Sequence, residues 1–234
     1  MKSSIVVELA GRDSFVALHR YLKSLGDKKQ HFILSIVKTP PEELDVNNQM
    51  YLLDKLIPYL INTGHSVEWE IHDGANDHVW FTMVKSIFGY NENASVVSPC
   101  IMCHLFCHLM RLDDAIKYDA AILSGERSLH DGKLKINQND DIFNITDIYF
   151  AKYGIDIIRP LRDISDSNLI KSEYEDFCKL IGLDINAYKF TPCSLSGSGK
   201  VANEEELKLA IKGLNKNLYD ILDQAKEKIK RGMD

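Results

Sequence analysis

Near its start, the chain passes from a buried-strand pattern through a tight turn directly into a helical pattern. Residues 5–7 are Ile-Val-Val, and such β-branched apolar runs are typical of buried strands. The small residues Ala10 and Gly11 form the turn, and Asp13 stands where a helix N-cap belongs. The N–H groups at such a helix start are unpaired and suit a phosphate, although an ordinary strand-to-helix turn has the same pattern.

The same alternation continues along the chain. Further strand patterns occur at residues 31–39, 66–71, 120–124 and 156–160, and helical patterns occur at residues 50–60, 76–90, 99–118, 144–153 and 166–182. Residues 128–141 are polar and predict a loop. Strands that alternate with helices favour parallel pairing, so we predict an α/β fold with an open, mainly parallel, Rossmann-like sheet of about five strands and helices on both faces.

The end of the chain has a different pattern. Apolar residues three and four apart, from Leu207 to Ile229, predict a long C-terminal helix within residues 203–232. We therefore predict a main domain at residues 1–200 and a helical appendage at residues 201–234. Such a helix docks either on its own domain or on a twin subunit, so a homodimer through this helix is a further prediction.

Composition limits the classes of protein that fit this chain. With 234 residues, of which 45% are apolar, it can bury a core of its own. Its formal net charge of −6 gives no global basic field, so charge does not indicate RNA binding, although a local basic patch stays open. No run approaches the roughly 20 apolar residues of a membrane span, and no secretory signal is evident. We therefore expect a cytoplasmic protein with no membrane partner.

Residues 9–14, Leu-Ala-Gly-Arg-Asp-Ser, resemble the Ser-Gly-Gly-x-Asp-Ser loop of the PP-loop superfamily, the N-type ATP pyrophosphatases with an adenine nucleotide α-hydrolase-like fold. Those proteins bind ATP and cleave it to AMP and pyrophosphate, which activates a carbonyl oxygen as an adenylate. Leu9 replaces the first Ser of the loop, and Ala10 replaces the first Gly, whose missing Cβ permits close approach of the phosphate. The resemblance implies that residues 1–200 bind ATP and Mg²⁺, with the nucleotide held by Ala10, Gly11, Arg12, Asp13 and Ser14 and with Asp13 and Ser14 catalytic.

Two later segments are similar to parts of the same superfamily. Gly125 and Arg127 match the Gly-x-Arg of the phosphoadenylylsulfate reductases, and residues 159–161 match a recurring Arg-Pro-Leu segment. The resemblance implies nucleotide contacts from Ser124, Gly125, Glu126 and Arg159, catalytic roles for Arg127 and Lys133, and Mg²⁺ ligation by Glu126 or Asp131. A solvated charged loop at residues 124–138, and a surface ion pair of Arg159 with Asp163 or Asp156, are the alternatives.

Five cysteines are an odd number, and three of them lie within eight residues, which is not the pattern of a secreted disulfide framework. The Cys100-x-x-Cys103 pair at a helix start brings two thiols within reach of one metal ion. The segment around Cys193 is similar to the Pro-Cys-x-x-Cys-Gly-Ser segment of the tRNA 2-thiocytidine synthetases, although Ser196 replaces the second cysteine. This resemblance implies that Cys100, Cys103 and Cys193 hold a 4Fe–4S cluster or Zn²⁺.

Two alternatives compete with the three-cysteine site. The cysteines are also consistent with buried thiols on an amphipathic helix, because Cys is among the most buried residue types. His104 and His108 lie four residues apart and could bind a metal together with Cys103.

Together these features predict an ATP-dependent enzyme that forms AMP and pyrophosphate while introducing sulfur or nitrogen into a carbonyl acceptor. The acceptor is a small molecule or a nucleobase. A nucleotide-binding module without chemistry, and a phosphoadenylylsulfate reductase-like enzyme that uses a cysteine, are the alternatives.

Overall fold

The computed structural model describes residues 2–40, 46–72, 77–90, 98–188, 205, 208 and 218–231. Cys193 and the Gly-rich run that follows it lie outside these residues. Within the described part, no helix is long and apolar enough to cross a membrane.

The main sheet contains five strands, all parallel, in the order β3-β2-β1-β4-β7. The strands are β1 (Ser4–Glu8), β2 (His31–Val37), β3 (Ser66–His72), β4 (Ala120–Leu123), β5 (Leu129–His130), β6 (Lys133–Leu134) and β7 (Ile157–Ile158). The helices are α1 (Arg12–Leu25), α2 (Val46–Asn62), α3 (Asp77–Tyr90), α4 (Ser98–Lys117), α5 (Asp140–Ala151), α6 (Ser167–Ile181) and α7 (Leu218–Arg231). The predicted α/β class and parallel sheet are therefore confirmed.

The side chains of the central strands alternate between two cores, one on each face of the sheet. Val6 packs with residues of α3, α4, α5 and α7, whereas Ile5 and Val7 pack with residues of α1, α2 and α6. Because strand side chains point alternately to opposite faces, three consecutive apolar residues in β1 serve both cores. Helices on both faces were predicted from the alternation of patterns, and this is confirmed.

The polar region after β4 differs from the predicted loop. Residues 129–134 form a short antiparallel hairpin, and Asp131 and Gly132 at its turn have positive φ angles of 51° and 75°. Helix α5 begins at Asp140, earlier than predicted, because the side chain of Asn139 accepts hydrogen bonds from the N–H groups of Asp141 and Ile142. The prediction of one continuous loop over residues 128–141 was wrong.

Helix α7 packs against its own chain. Its apolar stripe, Leu218, Leu222, Ala225 and Ile229, is buried in the core that contains α3 and α4. The hydroxyl of Tyr149 donates to Asp223 Oδ1 at 2.8 Å, and Lys226 Nζ lies 3.1 Å from Asp113 Oδ1. The homodimer through the C-terminal helix stays a prediction, and it would use the residues of α7 outside this stripe.

Candidate functional site

The order of the strands defines where a ligand site is expected. From β1 the chain moves outward through β2 and β3, and it then returns to the other side of β1 with β4. Ligands of open parallel sheets bind beyond the carboxyl ends of the strands at such a switch point. Glu8 ends β1, residues 124–127 follow β4, and Arg159 follows β7, so this edge collects most of the predicted site residues.

The loop between β1 and α1 leads into a helix without a side-chain cap. Gly11, with an extended φ of 175°, is the N-cap residue, and no side chain in the described part accepts a hydrogen bond from this helix start. Asp13 is the second residue of the helix, so its predicted N-cap role was wrong. Ala10 is exposed, its N–H donates to Ser14 Oγ at 3.4 Å, and Leu9 is only 6% exposed. A helix start without a side-chain cap is a common type of anion-binding site.

The loop after β4 touches this helix start directly. A Cβ built on Gly125 would lie 2.4 Å from the backbone N of Ser14 and 2.5 Å from the carbonyl carbon of Asp13. Only glycine permits this approach of two backbones. Two segments that the sequence analysis assigned separately to nucleotide contacts, residues 10–14 and residues 124–127, therefore lie side by side.

Arg127 joins the two segments. This side chain is 3% exposed, and its Nε donates to Asp13 Oδ2 at 3.0 Å. Its Nη2 lies 2.6 Å from His130 Nδ1, and because a guanidinium has no acceptor, that ring nitrogen is the acceptor. His130 Nε2 then carries the proton and donates to Gln138 Oε1 at 3.2 Å. The imidazole is therefore held neutral.

Positive charge collects at this corner. Burial, with the charges of Lys135 and Arg127, lowers the pKa of His130 to about 4. Burial also lowers the pKa of Lys135; Asp13 opposes this effect, whereas Arg127 and Arg12 add to it. The exposed Arg12 begins α1. We call Arg12, Asp13, Arg127, His130 and Lys135 the basic corner. Lys133, predicted to be catalytic, lies exposed on β6 nearby in the chain.

A second group of polar side chains is buried under α4. Glu126 is 1% exposed, and its Oε1 contacts Nε2 of both His104 and His108, the latter at 3.0 Å. The two Nε2 atoms are 3.1 Å apart. Residues four apart on a helix share a face, which explains why both rings reach the same carboxylate. We call His104, His108, Glu126 and Arg159 the buried cluster.

Arg159 holds the other oxygen of Glu126. Its Nε donates to Glu126 Oε2 at 2.5 Å, its Nη1 to Asp147 Oδ1 at 2.6 Å and its Nη2 to Thr146 Oγ1 at 2.9 Å. The guanidinium carbon also lies 4.7 Å from the centre of the Phe143 ring. The predicted surface ion pair with Asp163 or Asp156 was wrong, because Arg159 is buried against Glu126 and Asp147. Its predicted contact with a nucleotide stays a prediction.

Charge and burial set the protonation of the cluster. Burial acts to raise the pKa of Glu126, but His108 and His104 outweigh it and hold that pKa well below its ordinary value. Burial lowers the pKa of His108, and Glu126 opposes this only in part. Glu126 therefore holds its negative charge more firmly, and His108 binds its second proton less readily, than the same groups in water.

Glu8 and Arg111 extend this buried polar region toward β1, and the sequence analysis missed both. Arg111 Nη1 lies 3.1 Å from Glu8 Oε1, and the hydroxyl of Ser124 donates to Glu8 Oε2 at 2.5 Å. Burial acts to raise the pKa of Glu8, but the electrostatic interactions with Arg111 and His108 outweigh burial, so that the pKa of Glu8 lies below its ordinary value. A signal was present, because His104, His108 and Arg111 repeat at helical spacing within an otherwise apolar stretch of α4, residues 101–112.

The predicted cysteine ligands are only partly described. Cys100 and Cys103 lie in the first turns of α4, partly buried and packed against the core, whereas Cys193 is outside the described residues. Among the residues that the structure describes, His104, His108 and Glu126 are the group whose ligand atoms converge, all within 4.8 Å of one another. The three-cysteine site stays a prediction.

Comparison with known proteins gives little information on function. No known family profile matches the chain. It is similar to an uncharacterized protein of Methanocaldococcus jannaschii, with 24% identity over 181 residues, which cover 73% of this chain. The match spans 62% of the length of that relative. Any function assigned to this chain therefore depends on its own residues.

Proposed function

We propose that this chain is a PP-loop-type enzyme that binds ATP with Mg²⁺ at the basic corner and adenylates a carbonyl group of a small molecule or nucleobase. The carbonyl oxygen attacks the α-phosphorus and pyrophosphate leaves. A sulfur or nitrogen nucleophile then displaces AMP from the activated carbon. The observation that carries the proposal is the direct contact between the Gly125 segment and the α1 start at the switch point.

The charges of the basic corner support binding of a polyphosphate. Arg12 and Lys135 bring positive charge to an uncapped helix start, and Arg127 is held there by Asp13. Helix N–H groups together with cationic side chains are a common phosphate site. We therefore place the triphosphate of ATP at residues 10–14, with its α-phosphate nearest to residues 124–127.

The carboxylate of Asp13 is the group in the basic corner that could bind Mg²⁺. Asp13 is partly exposed, and a carboxylate is the ligand type that Mg²⁺ prefers. The bound ion would neutralise phosphate charge during departure of pyrophosphate. Of the two Mg²⁺ ligands predicted after β4, Glu126 is occupied by two imidazoles and Arg159, and Asp131 lies at the hairpin turn, where its Oδ1 accepts from the N–H of Ser167 at 2.8 Å; we therefore assign Mg²⁺ to Asp13.

Transfer of sulfur has separate support. Cys100 precedes His104 by one helical turn on α4, and His104 contacts Glu126 next to Gly125. The start of α4 therefore lies at the edge of the sheet where β4 ends, near the residues that follow β4. We propose that the protein acts in the cytoplasm, where such cysteines stay reduced.

A nucleotide-binding module without chemistry is the second candidate, and Leu9 favours it. Its side chain is buried in the core at the position where the family loop has a serine hydroxyl. The loop then has one hydrogen-bond donor fewer for the phosphates, and we expect this loss to impair the cleavage of ATP more than its binding.

Two measurements test the proposal and separate the two candidates. Calorimetric titration with ATP and Mg²⁺ should give binding that Arg12→Ala weakens about 10-fold, since one charge-assisted contact contributes roughly that much. Lys23→Ala, an exposed cation in the last turn of the same helix, is the matched control and should leave the affinity unchanged. Pyrophosphate release in the presence of acceptors identifies the enzyme, and binding without release identifies the module. Absence of ATP binding by the unmodified protein contradicts both.

A further inference from the structure

Three donor atoms face one another in the buried cluster. The Nε2 atoms of His104 and His108 lie 3.1 Å apart, and Glu126 Oε1 contacts both, at 3.0 Å from His108. The side chains of His108 and Glu126 are each 1% exposed, and that of His104 is 10% exposed. Two imidazoles and a carboxylate that converge in this way offer three ligand atoms to one metal ion.

The spacing suits one metal ion. Ligand atoms about 2.0–2.2 Å from a tetrahedral zinc ion are separated from one another by about 3.3 Å. Two of the three separations, 3.0 and 3.1 Å, are close to this value, whereas His104 Nε2 and Glu126 Oε1 lie closer together and would have to move apart around an ion. Coordination through Nε2 places the ring proton of His108 on Nδ1, which is buried and has no hydrogen-bond partner among the described residues.

Arg159 orients the carboxylate. By holding Oε2 it leaves Oε1 directed at the two rings, and it is itself fixed by Asp147, Thr146 and the Phe143 ring. Partners that lie behind the ligands commonly orient them in this way, and losing one costs about 10–100-fold in metal affinity. Arg159 is therefore a positioning residue for the site.

We propose that His104, His108 and Glu126 bind one divalent transition-metal ion, zinc or iron(II). Imidazole donors select these ions over Mg²⁺, whose ligands are oxygens. Three protein ligands leave at least one coordination position for water or substrate, as in catalytic rather than structural sites. Glu126 stands between Gly125 and Arg127, which both contact the start of α1, so the ion would be bound within the segment of residues 124–127. The site differs from both the Mg²⁺ of the proposed reaction and the predicted three-cysteine cluster.

The test is the metal content of the full chain, purified without an affinity tag and without oxygen, and then dialysed against Zn²⁺ or Fe²⁺ in separate samples. Elemental mass spectrometry should find one ion per chain in the unmodified protein. His104→Ala and Glu126→Gln should each weaken retention at least 10-fold, and Arg159→Lys should weaken it about 10–100-fold. The ion found without added metal identifies which of the two the cell supplies.

Two control variants make the result specific. His72→Ala removes another partly buried histidine, whose Nε2 lies 2.8 Å from Asp114 Oδ2 but which has no second imidazole beside it among the described residues; metal content should not change. Cys100→Ser with Cys103→Ser should also keep the ion. Cobalt(II) spectra of the unmodified protein should lack a thiolate charge-transfer band.

Three outcomes overturn the proposal: no ion bound by the unmodified protein, full retention by folded His104→Ala, or loss of the ion in the double serine variant. Circular dichroism checks the fold of each variant. His104 is the most exposed of the three ligands, so its variant is the one to use if Glu126→Gln does not fold. None of these readings requires ATP, so failure of the metal site and failure of the proposed function are distinguishable.

Discussion

The basic corner and the buried cluster adjoin each other in the chain, yet they are built in opposite ways. The basic corner lies partly in solvent and begins with a contiguous loop of the sequence, with Arg12 exposed and Asp13 partly exposed. The buried cluster takes its residues from α4, from the β4 loop and from the end of β7, and its side chains are almost entirely enclosed. A contiguous loop is visible in the sequence as a motif, whereas a cluster assembled by topology is not.

Exposure to solvent also makes the ion pairs of the two regions differ in how much they contribute to stability. A charge pair near water contributes little, about 0–1 kcal/mol, because solvent screens it. Removing one partner of a buried pair leaves an uncompensated charge and costs about 3–5 kcal/mol. Substitutions in the buried cluster should therefore affect folding first, and substitution of an exposed residue of the basic corner, such as Arg12, should affect ligand binding first.

The largest effect is expected for Arg159→Leu. This change leaves the carboxylate of Glu126 buried without its cation, so the free energy of unfolding should fall by about 3–5 kcal/mol in the presence of a chelator. Arg162→Leu is the matched control, because Arg162 also lies over the Phe143 ring but pairs with an exposed carboxylate of Asp140. Its cost should stay below about 1 kcal/mol. If urea titrations gave equal losses of unfolding free energy for Arg159→Leu and Arg162→Leu, the buried and exposed ion pairs would not differ as we expect.

Gly125→Ala tests the junction between the two regions and should cost about 3 kcal/mol. The added Cβ meets the backbone of α1, which cannot move aside as a flexible side chain can. Gly11→Ala is the control, since its added Cβ has no atom within 4 Å. That change should cost only about 1 kcal/mol, the value of a poorer N-cap residue. A thermal unfolding curve unchanged by Gly125→Ala would contradict the close backbone contact.

The smallest effect concerns pH at the basic corner. Burial with the charges of Lys135 and Arg127 lowers the pKa of His130 to about 4, below the value of about 6.5 for an unfolded chain. Between these values the unfolded chain binds a proton that the folded chain does not. The contribution of neutral His130 to the free energy of unfolding is therefore fully present above pH 6.5 and is lost as pH falls toward 4. The loss should be on the order of 2 kcal/mol after allowing for partial exposure.

His130→Asn removes this titration and keeps an acceptor for Arg127. The difference in unfolding free energy between this variant and the unmodified protein should therefore change with pH over that interval, and it should be constant above pH 7. A difference that is constant from pH 4 to pH 8 would show that the pKa of His130 is not lowered by burial and its neighbouring cations in the folded chain.

Local patterns were sufficient to predict the elements of the sheet. Each of the five main strands begins within two residues of its prediction, because runs such as residues 5–7 contain little but β-branched apolar residues. The start of α5 was missed because the cap, Asn139, lies within a polar stretch. The hairpin was missed because its turn, Asp131 with Gly132, lies within the same stretch.

The candidate site was predictable only in part, and distance along the chain explains why. Glu126 and Arg159 were each singled out, but their contact joins residues 33 apart, and Glu8 with Ser124 joins residues 116 apart. Helical spacing places His104 and His108 near Cys103, whereas the fold brings Glu126 to the two imidazoles. Strand order makes these contacts, and alternating patterns do not specify strand order.

The most direct test is a crystal structure of the protein with ATP and Mg²⁺, with anomalous data collected at the zinc and iron absorption edges. The account predicts triphosphate density at the N–H groups that begin α1, in contact with Arg12, and one anomalous peak between His104, His108 and Glu126. Nucleotide bound away from the β1–β4 switch point, with the start of α1 covered by protein, would contradict it.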